Sequence, residues 1–215
     1  MKTKFGNIEL LLVIVSSLYL SSAMARGSIE PIGDYTSVGG KLYKTTYTNA
    51  NPSDYNGLGV NVSYQLIPNL MVGIHAESAQ NSSNNTTYRV SENGVFLGFV
   101  MGVGTSVDLG LVLSPISSTN EVCSGGLCAS GSDTGSDNEL FGKWWLGQAK
   151  NFSLGLHLNK YTYSKTSTTY NSAGLSFAYF VGKKHEWSFK GSRLRDSNDN
   201  DISTTSSFGY NYHFQ

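Results

Sequence analysis

The stretch LGVNVSYQLIPNLMVGIHAES, residues 58–78, decides the fold. Leu58, Val60, Val62, Tyr64 and Leu66 fall on every second position. After a break at Ile67-Pro68-Asn69, Leu70, Val72, Ile74 and Ala76 resume the alternation. Between them stand Gly59, Asn61, Ser63 and Gln65, then Gly73, His75 and Glu77. A period of two interrupted by a Pro-Asn turn predicts an antiparallel hairpin with one oily and one polar face.

Working outward, the same pattern predicts strands near 36–47, 57–66, 70–79, 95–103, 107–113, 140–148, 152–163, 170–181, 185–194 and 204–214. The connections alternate in kind. Those after Leu66, Gly104, Gln148 and Gly182 are short. The others are polar: TNANPSD, QNSSNNTTYRVSEN, the stretch 114–139, SKTST and RDSNDND. Short turns at one end and polar loops at the other predict a closed antiparallel transmembrane β-barrel, all-β, of ten strands, with eight as the alternative. Closure is required because unpaired backbone amides are not tolerated in hydrocarbon.

The N-terminus agrees. Lys2 and Lys4 precede the apolar run LLVIVSSLYL (11–20) and the small-residue site Ala23-Met24-Ala25. This predicts a signal peptide over 1–25, cleaved on export, since the run is too short to span as a helix. Residues 26–35 are then expected as a short periplasmic segment and 36–215 as the barrel domain. The whole chain balances 15 Lys and Arg against 15 Asp and Glu, with no basic block, so no nucleic-acid partner is expected.

The face assignment follows from alternation. Leu109, Leu111, Leu113, Leu154, Leu156, Leu158, Leu175, Phe177 and Tyr179 belong to the lipid side. Tyr64, Trp144, Trp187, Tyr210 and Tyr212 suit interfacial girdles. The opposite face carries the candidate lumen charges Lys41, His75, Glu77, Asp108, Lys143, His157, Glu186 and Lys190, with His213. They read first as core ion pairs and second as the lining of a narrow pore. Cys123 and Cys128, with four residues between them in an exported chain, predict a disulfide rather than a redox pair or a metal site.

GVNVSYQLIPNLMVGI and the terminal FGYNYHF resemble small bacterial outer-membrane β-barrels of the OmpA-like superfamily. The resemblance implies location in the bacterial outer membrane, among lipid and lipopolysaccharide. It also implies that Phe208, Tyr210, Tyr212 and Phe214 form the terminal strand read by the barrel-assembly machinery, although Gln215 follows where the family usually ends on the aromatic residue. The expected role is structural or loop-mediated at the surface, by a monomer, with an unidentified surface ligand as partner. The alternative is a porin-like channel, and a surface protease or lipid A-modifying enzyme comes third. Enzymatic function, catalytic residues, metals and cofactors are not expected. His75 and Glu77 lack a nucleophile, and the acidic residues Asp54, Asp133, Asp137, Asp196, Asp199 and Asp201, read as loop residues, lack a histidine beside them at the outer rim.

Overall fold

In a computed structural model of the chain, residues 30–50, 52–83 and 85–214 are described. The predicted signal peptide over 1–25 lies outside them, as does Gln215. Ten strands follow one another: β1 (Ser37–Tyr47), β2 (Asp54–Ile67), β3 (Leu70–Ser83), β4 (Thr86–Val103) and β5 (Val107–Ser124), then β6 (Leu127–Leu146), β7 (Phe152–Tyr163), β8 (Thr168–Val181), β9 (His185–Asp196) and β10 (Asp201–His213). Each pairs antiparallel with its sequence neighbours. β1 closes on β10, from Ser37 opposite His213 to Tyr47 opposite Ser203. The sheet is a closed ten-strand barrel, and no edge strand is left within the wall.

The apolar series is on the outside. Leu42, Leu58, Val60, Val62, Tyr64, Ile74, Val95, Leu97, Leu156, Leu175 and Phe189 are all exposed, which in water would be a large unfavourable surface. From Leu58 to Leu66 the band runs ~26 Å along its strand. A ~40° tilt turns this into ~20 Å of height, and side chains extend it toward the ~25 Å apolar band of membrane barrels. Above it the outward positions turn polar on every strand that can be followed: Lys44, Asn56, Asn93, Asn138, Lys160, Asn171 and Arg193. Several are cross-strand neighbours, with Lys44 opposite Asn56 and Lys160 between Asn138 and Asn171. The wall is a transmembrane barrel with a defined polar upper boundary.

One expectation is corrected. Residues 80–83, 86–94, 114–124 and 127–139 are strand rather than loop. β4, β5 and β6 run 18, 18 and 20 residues and continue past the polar boundary as a paired ribbon. Their Ser, Thr and Asn residues conceal the strands, because outside the membrane neither face is buried in lipid and apolar alternation is not required. At the ribbon tip Gly125 and Gly126 both have positive φ, 58° and 83°, between the paired Ser124 and Leu127. That is the two-residue hairpin conformation that glycine accepts without steric cost. The expected disulfide joins Cys123 to Cys128, which are directly opposite in the register. With its sulfurs bonded to each other, the pair offers no thiolates to a metal beside Glu121.

Candidate functional site: the barrel lumen

All the sequence-assigned lumen charges point inward, since alternation in a closed wall leaves them nowhere else to go. The structure sorts them into two layers, one at the turn end and one in the middle of the barrel. Nearest the short turns, Asp108 is fully buried. Its carboxylate accepts hydrogen bonds from the Ile32 amide (2.7 Å), the Gly33 amide (2.9 Å), the Tyr35 hydroxyl (3.0 Å) and Trp145 Nε1 (2.8 Å). Residues 31–36, of which 31–35 belong to the expected periplasmic segment, therefore tuck into the barrel mouth as a strap. Ile32 packs against Trp145, Ala178 and Phe180, and Tyr35 packs against the cluster of Met71, Val100 and Phe141.

Lys143 is the cross-strand neighbour of Asp108, yet its ammonium pairs at 3.9 Å with Glu186, which also meets His213 Nε2 at 2.8 Å. The same ammonium lies 4.4 Å from the Trp145 ring centre, 4.8 Å from Phe180 and 5.9 Å from Tyr35. An aromatic box of this kind compensates a cation withdrawn from water.

The middle layer holds the rest. Lys41 pairs with Glu77 at 2.6 Å. His75 Nε2 faces Glu92, 4.0 Å away, while the Glu77 carboxylate is taken up by Lys41. Glu92 stands directly opposite Glu77 and accepts a hydrogen bond from the Tyr163 hydroxyl at 3.0 Å. His157 lies between Glu139, 2.5 Å from Nδ1, and Ser176, 2.8 Å from Nε2, while Lys190 reaches Glu139 at 3.5 Å. Tyr43, Asp137, Asn159 and Tyr161 continue the lining upward. Together these side chains surround a cavity of about 540 Å³.

Glu92, Asp137, Glu139 and Ser176 were not singled out from the sequence. Asp137, expected in a loop, lies in the lumen. The first three lie in polar stretches with no oily partner face. Their orientation was nevertheless available: counting back by twos from inward Trp145 through Lys143 and Phe141 gives Glu139 and Asp137, and from Val100 through Gly98, Phe96 and Gly94 gives Glu92. Their carboxylates, with those of Glu77, Asp108 and Glu186, outnumber the lumen lysines Lys41, Lys143 and Lys190, so the described interior is acidic.

Other titratable and aromatic residues fall outside the lumen. His185 is exposed at the start of β9, with Nδ1 2.7 Å from the Tyr210 hydroxyl. The acidic residues Asp196, Asp199 and Asp201 are held by their own hairpin, through Asn198, Asn200, Arg193 and Arg195. The terminal aromatics Phe208, Tyr210, Tyr212 and Phe214 share the outward face, where Phe208 stacks on Trp187 with ring centres 5.7 Å apart.

No family model matches the chain, and no curated protein matches it. Solved structures of similar outline include Ail, the attachment invasion locus protein of Yersinia pestis, at 14% identity over 85% of this chain and 99% of that one, with a TM-score of 0.42. The NanC porin is similar at 7% identity over 81% and 100%, with a TM-score of 0.48. The outer membrane protease OmpT of Escherichia coli is similar at 11% identity over 84% and 95%, with a TM-score of 0.43. These are likenesses of outline, and the functional reading rests on the chain's own geometry.

Proposed function

We propose that this chain is an outer-membrane barrel shut at its periplasmic mouth by residues 31–36, and that it works at the cell surface through its projecting ribbon and its outward-opening acidic cup. The observation that carries this reading is the Asp108 carboxylate, which accepts hydrogen bonds from two strap amides, one strap hydroxyl and the wall residue Trp145. A buried carboxylate is costly unless its lone pairs are satisfied, and here four donors satisfy them. The strap and its apolar neighbours thus fill the turn end of a lumen that a barrel of this size already leaves narrow.

The ribbon is the part that reaches furthest from the lipid. It is stiffened by pairing and by the Cys123–Cys128 bond, and it presents Leu127 at its tip, 81% exposed. A stiff, uncharged tip orders little on contact, which favours its use as a binding element.

Ion and solute efflux from proteoliposomes tests the closed mouth. The folded wild-type chain is expected to leave potassium and small sugars trapped. Efflux that scales with the amount of folded barrel would overturn the proposal in favour of a pore.

A further inference from the structure

We propose that Ser176 is a nucleophile activated by His157 and Glu139, and that the lumen cup hydrolyses small, neutral or cationic carboxylic esters. The three side chains stand in line on adjacent strands β6, β7 and β8: Glu139 Oε1 is 2.5 Å from His157 Nδ1, and His157 Nε2 is 2.8 Å from Ser176 Oγ. An ionised carboxylate only accepts hydrogen bonds, so Nδ1 carries the imidazole proton toward Glu139 and Nε2 is left to accept from the serine hydroxyl. That is the tautomer a general base needs, and the orienting group, base and nucleophile are each within hydrogen-bond reach.

The contact is built into the wall. Gly155 is the cross-strand neighbour of Ser176, two positions before His157 on the same face. A Cβ at 155 would overlap Ser176 Oγ and come within 2.9 Å of His157 Nε2, so only glycine lets serine and imidazole meet. Phe141, stacked against His157 with ring centres 6.4 Å apart, supports the ring from its other neighbour strand.

Lys190 is the other cross-strand neighbour of Ser176, and it also reaches Glu139 at 3.5 Å. The wall amides are spent on the ladder, so the ammonium of Lys190 is the donor placed to meet an oxyanion formed beside Ser176. All four side chains line the 540 Å³ cavity, a volume suited to a small molecule.

The reaction is acyl transfer to water. Ser176 Oγ bonds to the acyl carbon as its proton passes to His157 Nε2. Collapse of the tetrahedral oxyanion breaks the ester C–O bond, and the leaving alkoxide takes the proton from Nε2. Water then attacks the acyl-serine, giving its proton to His157. The second collapse releases the carboxylic acid and restores the Ser176 hydroxyl. The acidic lining selects against anionic substrates. The path of approach, from the outer mouth, rests on the closed strap proposed above, whereas the chemistry does not.

The test uses the full chain folded in detergent micelles, where both ends are accessible and failure of the strap proposal does not affect the outcome. It is incubated with p-nitrophenyl acetate and, separately, with an uncharged alkyl fluorophosphonate whose adduct is mapped by mass spectrometry. Ser176→Ala and His157→Gln are run alongside, with heat-modifiable gel mobility confirming that each is folded. The expected result is a phosphonyl adduct on Ser176 and hydrolysis that falls about 100-fold or more in both variants, the usual worth of a positioned general base. Absence of the adduct from Ser176, or hydrolysis unchanged in Ser176→Ala, overturns the proposal and leaves the three residues as a polar brace.

Discussion

Replacing Asp108 by Ala removes one carboxylate and strands four donors: the amides of Ile32 and Gly33, the Tyr35 hydroxyl and Trp145 Nε1. Hydrogen bonds to a charged group contribute roughly 1.5–3 kcal/mol each. They do not add fully, because burying the anion offsets part of the gain and Ala fills none of the space. A buried donor left without its partner costs about 1–3 kcal/mol, and because the four can partly relax toward water we take ~4 kcal/mol here. The barrel ladder does not pass through the strap, so this loss falls on strap docking rather than on the wall. At 1.4 kcal/mol per factor of ten, the undocked population rises by ~10³. Amide hydrogen exchange reads this directly. In Asp108→Ala, protection of Ile32 and Gly33 is expected to fall by about three orders of magnitude, while β2 and β3 amides keep theirs. Asp108→Asn, which retains one acceptor oxygen, is expected to fall between. If strap protection is unchanged in Asp108→Ala, the carboxylate does not hold the strap and the reasoning fails.

Three further outcomes follow from the same geometry. Gly155→Ala forces Ser176 and His157 apart and is expected to cost about 1–3 kcal/mol in urea unfolding, as overpacking does, with the His157 ring signals shifting by NMR. Reducing the Cys123–Cys128 bond opens only a short loop, worth ~2 kcal/mol on loop entropy. Exchange at 120–131 should therefore rise while the folded barrel's gel mobility stays the same. Outside the membrane, the Lys165 amide beside Asp133, with those of Thr166 and Thr134, holds its carboxyl below the usual range. A depressed carboxylate stabilises above its unfolded value and loses that contribution as pH falls through the folded one. The turn at 164–167 should thus stay protected at neutral pH and loosen below about pH 4, seen in the exchange of Lys165 and Thr166. A turn that loosens near pH 6 instead would contradict this.

How much was legible in the sequence depends on which solvent each face meets. Where lipid meets the wall, as in 58–78, alternation is enforced at every second residue, and strands, faces and inward charges could all be read from it. Above the polar ring formed by residues such as Asn93 and Asn138, water lies outside and the constraint lapses. The upper halves of β4, β5 and β6 therefore read as loops, and Glu92, Asp137 and Glu139 were hidden with them. Ion-pair partners were illegible for another reason. They depend on register, which turn geometry sets: Asp108 is opposite Lys143 but bonds the strap, and Glu77 pairs with Lys41 across Gly59 rather than with His75 on its own strand. The strap itself carries no periodic signal, since residues 31–36 are held by Asp108, by Gln65 and Ser63 of β2 and by apolar contacts rather than by a ladder.

The central claim is that a closed, lipid-facing barrel is blocked at its turn end by its own strap. Planar-bilayer conductance of the folded wild-type chain, beside Asp108→Ala, tests it most directly. The wild type is expected to be electrically silent and the variant to show discrete openings. Steady wild-type openings of the same size as those of Asp108→Ala would contradict it.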